Sequence, residues 1–559
     1  MTVRTEYVTN GRNRTAEAMP EKWKKTIFSG VFFLTFSNLL TKLCGLFLKV
    51  PLTNTLGDTG MAYFSLAYTV YKWFYMISTA GLPVAAAVLT AESIRERAFA
   101  RVRAVRDTAL LLFCGLGAAG SLLMALGAPM FASLQKVPEA SMAIAAIAPA
   151  LFCICVSSAL RGWYQGLGEL RPAAVSQVTE AAVKMVCGLL FGGYALRHGY
   201  ALPTVAAFAV SGLSAGCFLG MLVMLAALPN ENRAVLTAEG EEKRTARISR
   251  SEKKRLLSRL FKIALPVTVS ASVLSLSDLL DSMIVIRRVT GAGVSAADAL
   301  RLYGSYTALA VPMFNLPPVL IYPVTTALIP VLAGVSEEKR NALIRSSIRL
   351  TAVIALPCAA GMTVLAEPIL RLFYRADLAA TGAPLLTLLA PAVFFLSMLA
   401  VSNAVLQATG HADLPVYAMA AGALVKLVSG WILTGTPGVG ILGTPVSTVL
   451  CYLVMAVVNL CFVVKKTDCR LSFLTLLWKP LFASLLCAGS AEGFRRLIAG
   501  QMISGRLNAE RLSASMATLC AVAVGGIVYL TALLLLRGFP REELALLPIK
   551  TKRKPGDAA

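Results

Sequence analysis

Eight basic side chains lie within or at the ends of segments that are otherwise apolar, and six of them are candidates for a binding site. A charge at the centre of a lipid bilayer costs roughly 2.5–3.5 kcal/mol on insertion scales, so such residues normally face a cavity or an opposite charge. Together they would offer positive charge to an anion such as a phosphate group, which Lys and Arg bind through charge-assisted hydrogen bonds. The six residues are Lys42, Lys49, Lys72, Arg161, Lys184 and Lys426.

Anchoring at a membrane surface is the simpler interpretation for two of these cations. Long basic side chains reach the interface from the end of a helix. This suits Lys49, which directly precedes Val50 and Pro51, and Arg161, which opens Arg161-Gly-Trp-Tyr-Gln165-Gly. It suits Lys42 less well, because Lys42 lies deeper in its segment, on the same helix face as Lys49.

Three carboxylates lie well inside apolar segments. Glu180 precedes Lys184 by four residues, the favourable order for an ion pair within one helix, so a purely structural pair is one interpretation. Asp278 and Asp281 share one helix face. These two could neutralise lysines across a cavity, bind a proton or Na⁺, or pair with the nearby Arg287 and Arg288.

Patterns typical of soluble enzymes are missing or lie inside apolar runs. The segment 115–120 fits a dinucleotide-binding pattern and 212–216 a nucleophile elbow, but no strand precedes either. The glycines of 212–220 instead form a small-residue stripe for close helix packing. No P-loop or CxxC sequence occurs, and the chain has 2 histidines. We therefore expect no ATP site, no metal site and no cofactor, and no aromatic-interleaved basic patch predicts nucleic-acid binding.

Composition indicates an integral membrane protein. The 559 residues are 57% hydrophobic and 15% charged, whereas soluble domains carry about 25% charge. Apolar runs of about 20 residues recur, and a helix of that length spans the hydrocarbon layer. The predicted fold class is an all-α polytopic membrane protein with about fourteen transmembrane helices. The spans are predicted near 26–50, 62–90, 107–133, 140–166, 173–197, 202–228, 260–287, 303–332, 348–367, 383–408, 414–434, 440–464, 473–493 and 513–536.

Basic residues also predict the orientation of the chain. The net charge is +24, and Lys and Arg are concentrated in alternate connections, above all in the two tails, 91–107 and 229–259. Cytoplasmic loops carry this excess of Lys and Arg. We expect a bacterial inner-membrane protein with both termini in the cytoplasm.

The chain contains an internal repeat. Residues 148–188 align without a gap with 390–430, which matches Gln165 to Gln407 and Lys184 to Lys426. The offset covers six spans, so both halves point the same way, and substrate sites in such transporters lie between the repeats. The predicted domains are 1–25 (basic tail), 26–228 (N-lobe), 229–259 (linker), 260–465 (C-lobe), 466–538 (extra helix pair) and 539–559 (basic tail).

Prolines are frequent in the eighth to tenth spans. An interior proline removes a backbone hydrogen bond and kinks the helix, which suits a transporter that rocks between two states or a cavity of fixed shape. These prolines are Pro312, Pro317, Pro318, Pro323, Pro330, Pro357, Pro384 and Pro391.

Several segments resemble one known family. The run 41–53, the run Ser78-Thr-Ala-Gly-Leu-Pro83-Val, and Arg161-Gly-Trp-Tyr-Gln165-Gly with Glu180 after it are similar to the stage V sporulation protein B group. This group belongs to the multidrug/oligosaccharidyl-lipid/polysaccharide exporter superfamily and includes MurJ-like lipid II flippases. Lys49 stands where the group has Arg, which keeps the charge but loses the bidentate fork. Val88 stands where a Lys is common.

The resemblance implies a flippase that moves an undecaprenyl-pyrophosphate-linked sugar from the inner to the outer leaflet, with lipid II as the favoured cargo. The six cations would bind the diphosphate, and Glu180, Asp278 and Asp281 would pair charges or couple an ion. The membrane potential, H⁺ or Na⁺ would drive the cycle. Partners would be the lipid-linked glycan and the bilayer, and the chain would be a monomer. The alternatives are an exporter of capsule-type precursors, a cation-coupled multidrug exporter and a non-transporting scaffold.

Overall fold

The computed structural model describes residues 21–237, 249–321, 337–469, 471–503 and 510–536, with Thr325, Leu328 and Leu332 between them. Within these ranges the chain is almost entirely helical and contains no strand, which confirms the predicted all-α membrane class. The domain predictions for 1–25 and 229–259 lie partly outside the described residues, and that for 539–559 lies wholly outside them.

The helices of the first half fall within the range of the predicted N-lobe, a name kept for them here, and pack on one another. They are α1 (Glu21–Thr79), α2 (Leu82–Arg95), α3 (Phe99–Leu126), α4 (Ala128–Leu134), α5 (Ser141–Leu167), α6 (Arg171–Arg197) and α7 (Leu202–Thr237).

The helices of the second half fall within the ranges of the predicted C-lobe and extra helix pair, and these names are kept for them. The C-lobe comprises α8 (Arg250–Gly291), α9 (Ala296–Ser305), α10 (Val311–Phe314), α11 (Glu337–Val364), α12 (Ala366–Phe373), α13 (Ala376–Leu389), α14 (Ala392–Ala408), α15 (Leu414–Thr434) and α16 (Gly443–Thr467). The extra helices α17 (Phe473–Ile503) and α18 (Glu510–Leu535) pack on each other and on α11, where the Tyr529 hydroxyl donates to the Val353 carbonyl at 2.7 Å.

Helix α1 reverses direction at one glycine. A straight helix of its 59 residues would be about 90 Å long, far more than a bilayer. Gly57 interrupts it with φ 69° and ψ −175°, a conformation that favours glycine. Before Gly57, α1 runs parallel to α6, because Leu48 lies against Gly188 and Leu52 against Gly192.

After Gly57 the chain runs the other way, alongside α5. Pro83 lies against Gly162 and Thr90 against Gly166, so residue numbers rise together along the two helices. Helices α5 and α6 are joined by a tight turn at Gly168, whose φ is 80°, and are antiparallel. The first half of α1 is therefore the first predicted span, and its second half together with α2 is the second. The predicted first boundary at residue 50 is wrong, because the helix continues through Pro51 to Gly57.

Nine described helices are long and apolar enough to cross a membrane, or eleven if each of two bent pairs counts as one span. The predicted count of about fourteen is not reached by these criteria. Three causes account for the difference: the α1 reversal merges two spans into Leu40–Arg95, the eighth span is broken, and α17 carries Lys479, Glu492 and Arg495.

The predicted eighth span, 303–332, is wrong as a continuous helix. The chain passes from α9 through a π-helical turn at Tyr306–Ala310 and the short α10 to a 3₁₀ turn at Pro317–Leu320. Adjacent prolines at 317 and 318 remove two backbone donors, which explains the break. Pro323 and Pro330 lie outside the described residues. Pro357 and Pro384 lie inside helices, and Pro391 marks the 48° bend between α13 and α14.

The two lobes contact each other at both ends of the bundle. At the linker end, where the 229–259 connection joins them, the Gly81 amide donates to the Thr268 hydroxyl at 3.2 Å and Arg259 pairs with Glu92 at 2.6 Å. At the opposite end, called here the Gly57 end, Ser305 donates to Asp58 at 3.2 Å. Polar contacts therefore join the two lobes at each end of the bundle.

Candidate functional site

A carboxylate between the lobes is shared by two lysines. Asp278 on α8 accepts from Lys72 of the N-lobe at 2.7 Å and from Lys426 of the C-lobe at 2.9 Å, each through a different oxygen. Asp281, one turn further along α8, lies 3.5 Å from Lys426. We call Lys72, Asp278, Asp281 and Lys426 the interlobe cluster. Its two cations balance its two carboxylates.

The interlobe cluster has an accessible half and a buried half. The side chains of Lys72 and Asp278 are each 38% exposed, whereas those of Lys426 and Asp281 are each 9% exposed. The broken eighth span lies beside the buried half, where Tyr306 and Thr448 share a hydrogen bond of 3.0 Å. A π turn of this kind often marks a functional position in a helix. Any ligand that enters the cluster would thus meet Lys72 first.

Lys49 adds positive charge beside the accessible half. Its side chain is partly buried, and it lies within electrostatic range of Lys72. The interpretation of Lys49 as a residue at the end of its helix does not hold, because α1 continues to Gly57. Lys42, on the same face of α1, is exposed. With Lys49 included, the region around Lys72 carries more positive than negative charge.

A second charged group lies wholly within the N-lobe. Glu180 accepts from Lys184 at 2.5 Å and from Arg161 at 2.7 Å, and Arg161 also donates to Ser176 at 2.8 Å. Glu180 and Arg161 are 10% and 14% exposed. Two cations share one carboxylate, so this N-lobe cluster has a net charge of +1. The predicted pair of Glu180 and Lys184 is present, and the partly buried Arg161 side chain pairs with the same carboxylate.

Close packing of α6 on α7 holds the N-lobe cluster together. Gly216 and Gly220 lie directly against Glu180 and leave no room for larger side chains. The Ser176 hydroxyl also donates to the Gly220 carbonyl at 2.9 Å. The small-residue stripe predicted from the glycine spacing is confirmed at these positions.

The repeat-related lysines differ in how they are neutralised. Lys184 pairs within its own helix, whereas Lys426 on α15 pairs with two carboxylates of α8. Of the three alternatives for Asp278 and Asp281, the structure favours neutralisation of lysines. Pairing with Arg288 does not occur, since its guanidinium lies over the Trp431 ring and donates to the Trp431 carbonyl at 3.1 Å.

Sequence reasoning missed the polar residues that join the lobes at their ends. These contacts involve Asp58, Glu92, Thr268 and Ser305. None of them follows from spacing along one helix, because each partner lies on the other lobe. Among the described residues, no group of three or more His, Cys, Asp and Glu side chains is placed to hold a metal ion.

Comparisons with known proteins agree with this architecture. A family model described as polysaccharide biosynthesis protein matches residues 27–336, and one described as MatE matches 316–432. Stage V sporulation protein B of Bacillus subtilis is 24% identical over 94% of this chain and 98% of its own length. Lipid II flippase MurJ of the same organism is 23% identical over 90% and 94%. A solved structure of lipid II flippase MurJ in an inward closed conformation superposes with a TM-score of 0.65 at 14% identity, covering 91% of this chain and 99% of that one.

Proposed function

The chain belongs to the polysaccharide biosynthesis protein family, and from this premise we propose that it is a flippase for an undecaprenyl-pyrophosphate-linked sugar precursor, with lipid II as the favoured cargo. It would carry the precursor from the inner to the outer leaflet by alternating access, for peptidoglycan synthesis. The full-length similarity to stage V sporulation protein B and to lipid II flippase MurJ supports this class.

One observation carries the proposal: cations from both lobes meet in the space between them. Lys72 and Lys426 approach one carboxylate from opposite sides, and Lys49 lies within range of Lys72. A diphosphate headgroup needs several cations in a partly dehydrated cavity. The N-lobe cluster, with its net charge of +1, extends the positive region through Arg161 and Lys184.

Alternating access requires that the interlobe contacts open at one end at a time. The linker-end contacts Gly81–Thr268 and Glu92–Arg259 would separate to admit the precursor from the inner leaflet. The Asp58–Ser305 contact at the Gly57 end would separate to release it on the other side. In this orientation the linker and both termini are cytoplasmic, as the distribution of Lys and Arg predicts. The membrane potential, H⁺ or Na⁺ would supply the driving force.

Lipid-linked precursors of capsule-type polysaccharides remain the second candidate cargo, because the matching family model is described by polysaccharide biosynthesis. A carrier of cationic drugs is disfavoured by the positive charge around Lys72 and around Arg161. Acidic cavities would suit such drugs better.

Complementation in bacterial cells depleted of their own lipid II flippase tests the proposal. Wild type, Lys42→Ala and Lys426→Ala would be compared, with Lys339→Ala, an exposed position on α11, as the matched control. Rescue by wild type and Lys339→Ala, but not by stably expressed Lys426→Ala, is expected. Failure of a well-inserted wild type would overturn lipid II as the cargo and favour the capsule-type precursor.

A further inference from the structure

We propose that the Asp278 carboxylate is an internal competitor for the anion site, and that an incoming diphosphate displaces it from Lys72 and thereby releases the two lobes from each other. The inference rests on the function proposed above and concerns how the same site is regulated. It follows from the charges, exposure and lobe membership of the interlobe cluster.

The Asp278 carboxylate stands where a ligand anion would contact Lys72. Asp278 stands 2.7 Å from the Lys72 ammonium, the distance at which a phosphate oxygen would bind it. Lys72 and Asp278 are each 38% exposed, so this ion pair is the part of the cluster that solvent and ligands reach. A ligand anion that binds Lys72 therefore competes with Asp278 for the charge of this ammonium group.

Asp278 would keep an ion pair with Lys426 after it leaves Lys72. Its other oxygen lies 2.9 Å from the Lys426 ammonium. Lys426 belongs to the C-lobe, and its side chain is 9% exposed. Breaking the Lys72 contact would leave Asp278 paired, so the carboxylate would not become an uncompensated buried charge. The exchange replaces one charge-assisted hydrogen bond of Lys72 by another, and Lys49 nearby favours the more highly charged diphosphate.

Displacing Asp278 from Lys72 changes the charges that face each other across the interface. Before the exchange, the interlobe cluster is neutral and Lys72 joins the lobes. After it, Asp278, Asp281 and Lys426 together carry one net negative charge on the C-lobe, facing an anion held on the N-lobe. With Lys72 engaged by the ligand, the negative charge on the C-lobe no longer has its partner across the interface. Ligand binding thus removes an attraction between the lobes. The N-lobe cluster lacks this property, because all its members lie on one lobe.

Binding to the purified full-length protein in lipid nanodiscs tests the inference. The probes are farnesyl pyrophosphate, inorganic pyrophosphate and uncharged farnesol, with affinities taken from equilibrium dialysis. Asp278→Asn keeps the shape and removes the competing charge. It should bind farnesyl pyrophosphate at least five-fold more tightly than wild type, with farnesol unaffected. Glu367→Gln is the matched control, since Glu367 pairs with Arg371 on its own helix at 2.6 Å, and it should bind as wild type does.

The inorganic pyrophosphate arm separates the headgroup from the lipid tail. A gain for both pyrophosphates in Asp278→Asn supports competition at the anion, whereas a gain for farnesyl pyrophosphate alone would place the effect at the tail and overturn the inference. Asp278→Glu retains the negative charge and should bind both pyrophosphates as the wild type does. It controls for misfolding caused by substitution at this position in Asp278→Asn.

Hydrogen exchange in the wild type provides the conformational readout. Farnesyl pyrophosphate should raise amide exchange at an end of the interface, in 264–268 or in 58–62, and farnesol should not. Equal affinity in wild type and Asp278→Asn would refute the competition while leaving the proposed function intact. If wild type and every variant bound neither pyrophosphate, the proposed function itself would fall.

Discussion

Lys72 and Asp278 form an ion pair of 2.7 Å although they belong to different lobes and stand 206 residues apart in the chain. The pair is one of several contacts across the interface, and it lies between the contacts of the two ends. Its strength and its consequences can be measured without knowledge of the cargo.

A double-mutant cycle with Lys72→Met and Asp278→Asn should give a modest coupling free energy. Both side chains are more than one-third exposed, and ion pairs of this exposure contribute about 0.2–1 kcal/mol. Thermal unfolding of the purified protein in detergent would measure it. Strictly additive effects of the two substitutions would show that the pair does not hold the lobes together.

Loss of Lys426 should be far more damaging than loss of Lys72. Lys426→Met would leave Asp278 and Asp281 facing each other with a buried carboxylate unpaired, which typically costs about 3–5 kcal/mol. Adding Asp281→Asn removes one of those charges and should recover part of the loss. The same unfolding assay would test this, and a Lys426→Met protein as stable as the wild type would contradict the pairing.

The N-lobe cluster predicts an asymmetry between its acid and its bases. Glu180→Gln would leave Arg161 and Lys184 buried without their counter-charge, for a loss of about 3 kcal/mol. Lys184→Met should cost less, because Arg161 still neutralises Glu180. The double variant Glu180→Gln and Lys184→Met should be more stable than Glu180→Gln alone. The reverse order of stabilities would mean that Glu180 is satisfied by other groups.

Two glycines allow the two ends of the interface to be opened separately. Gly81 lies against the Ala264 carbonyl at the linker end, and Gly304 lies against the Asp58 carbonyl at the Gly57 end, and neither leaves space for a Cβ atom. Gly81→Val should raise hydrogen exchange in 264–268, and Gly304→Val should raise it in 58–62. Each variant serves as the control for the other. Identical exchange patterns in the two variants would show that the ends do not move independently.

Much of the architecture could be predicted from the sequence, because apolar runs and the positions of Lys and Arg are local signals. The helical pair of Glu180 and Lys184 was predictable for the same reason: its spacing lies within one helix. The partners of Lys426 were not, since they depend on how α15 packs against α8. The spacing of Asp278 and Asp281 predicted a shared face, and three interpretations of that face stayed open until the neighbouring helices were placed.

The backbone breaks were the least predictable feature. Pro51 suggested the end of the first span, but one proline in a long helix removes a single hydrogen bond, and the helix continues. Gly57 supplies the reversal through its positive φ. It lies in the polar stretch 51–61 between the first two predicted spans, so the reversal was predictable, but not its position at this glycine. The pair Pro317 and Pro318 announced a disturbance of the eighth span, but not the π turn that precedes it.

The long separation of Lys72 from its carboxylate has a consequence for how the protein is made. A ribosome adds about 5–20 residues per second, so the 206 residues between the two positions take about 10–40 s to synthesise at that rate. Throughout that interval Lys72 is already in the nascent N-lobe while Asp278 does not yet exist. The newly inserted helices must therefore keep this ammonium in water, among lipid headgroups or against the insertion machinery. Slow or interrupted translation of the linker would prolong the time during which Lys72 lacks Asp278. During that time, degradation of the nascent chain would compete with assembly of the two lobes.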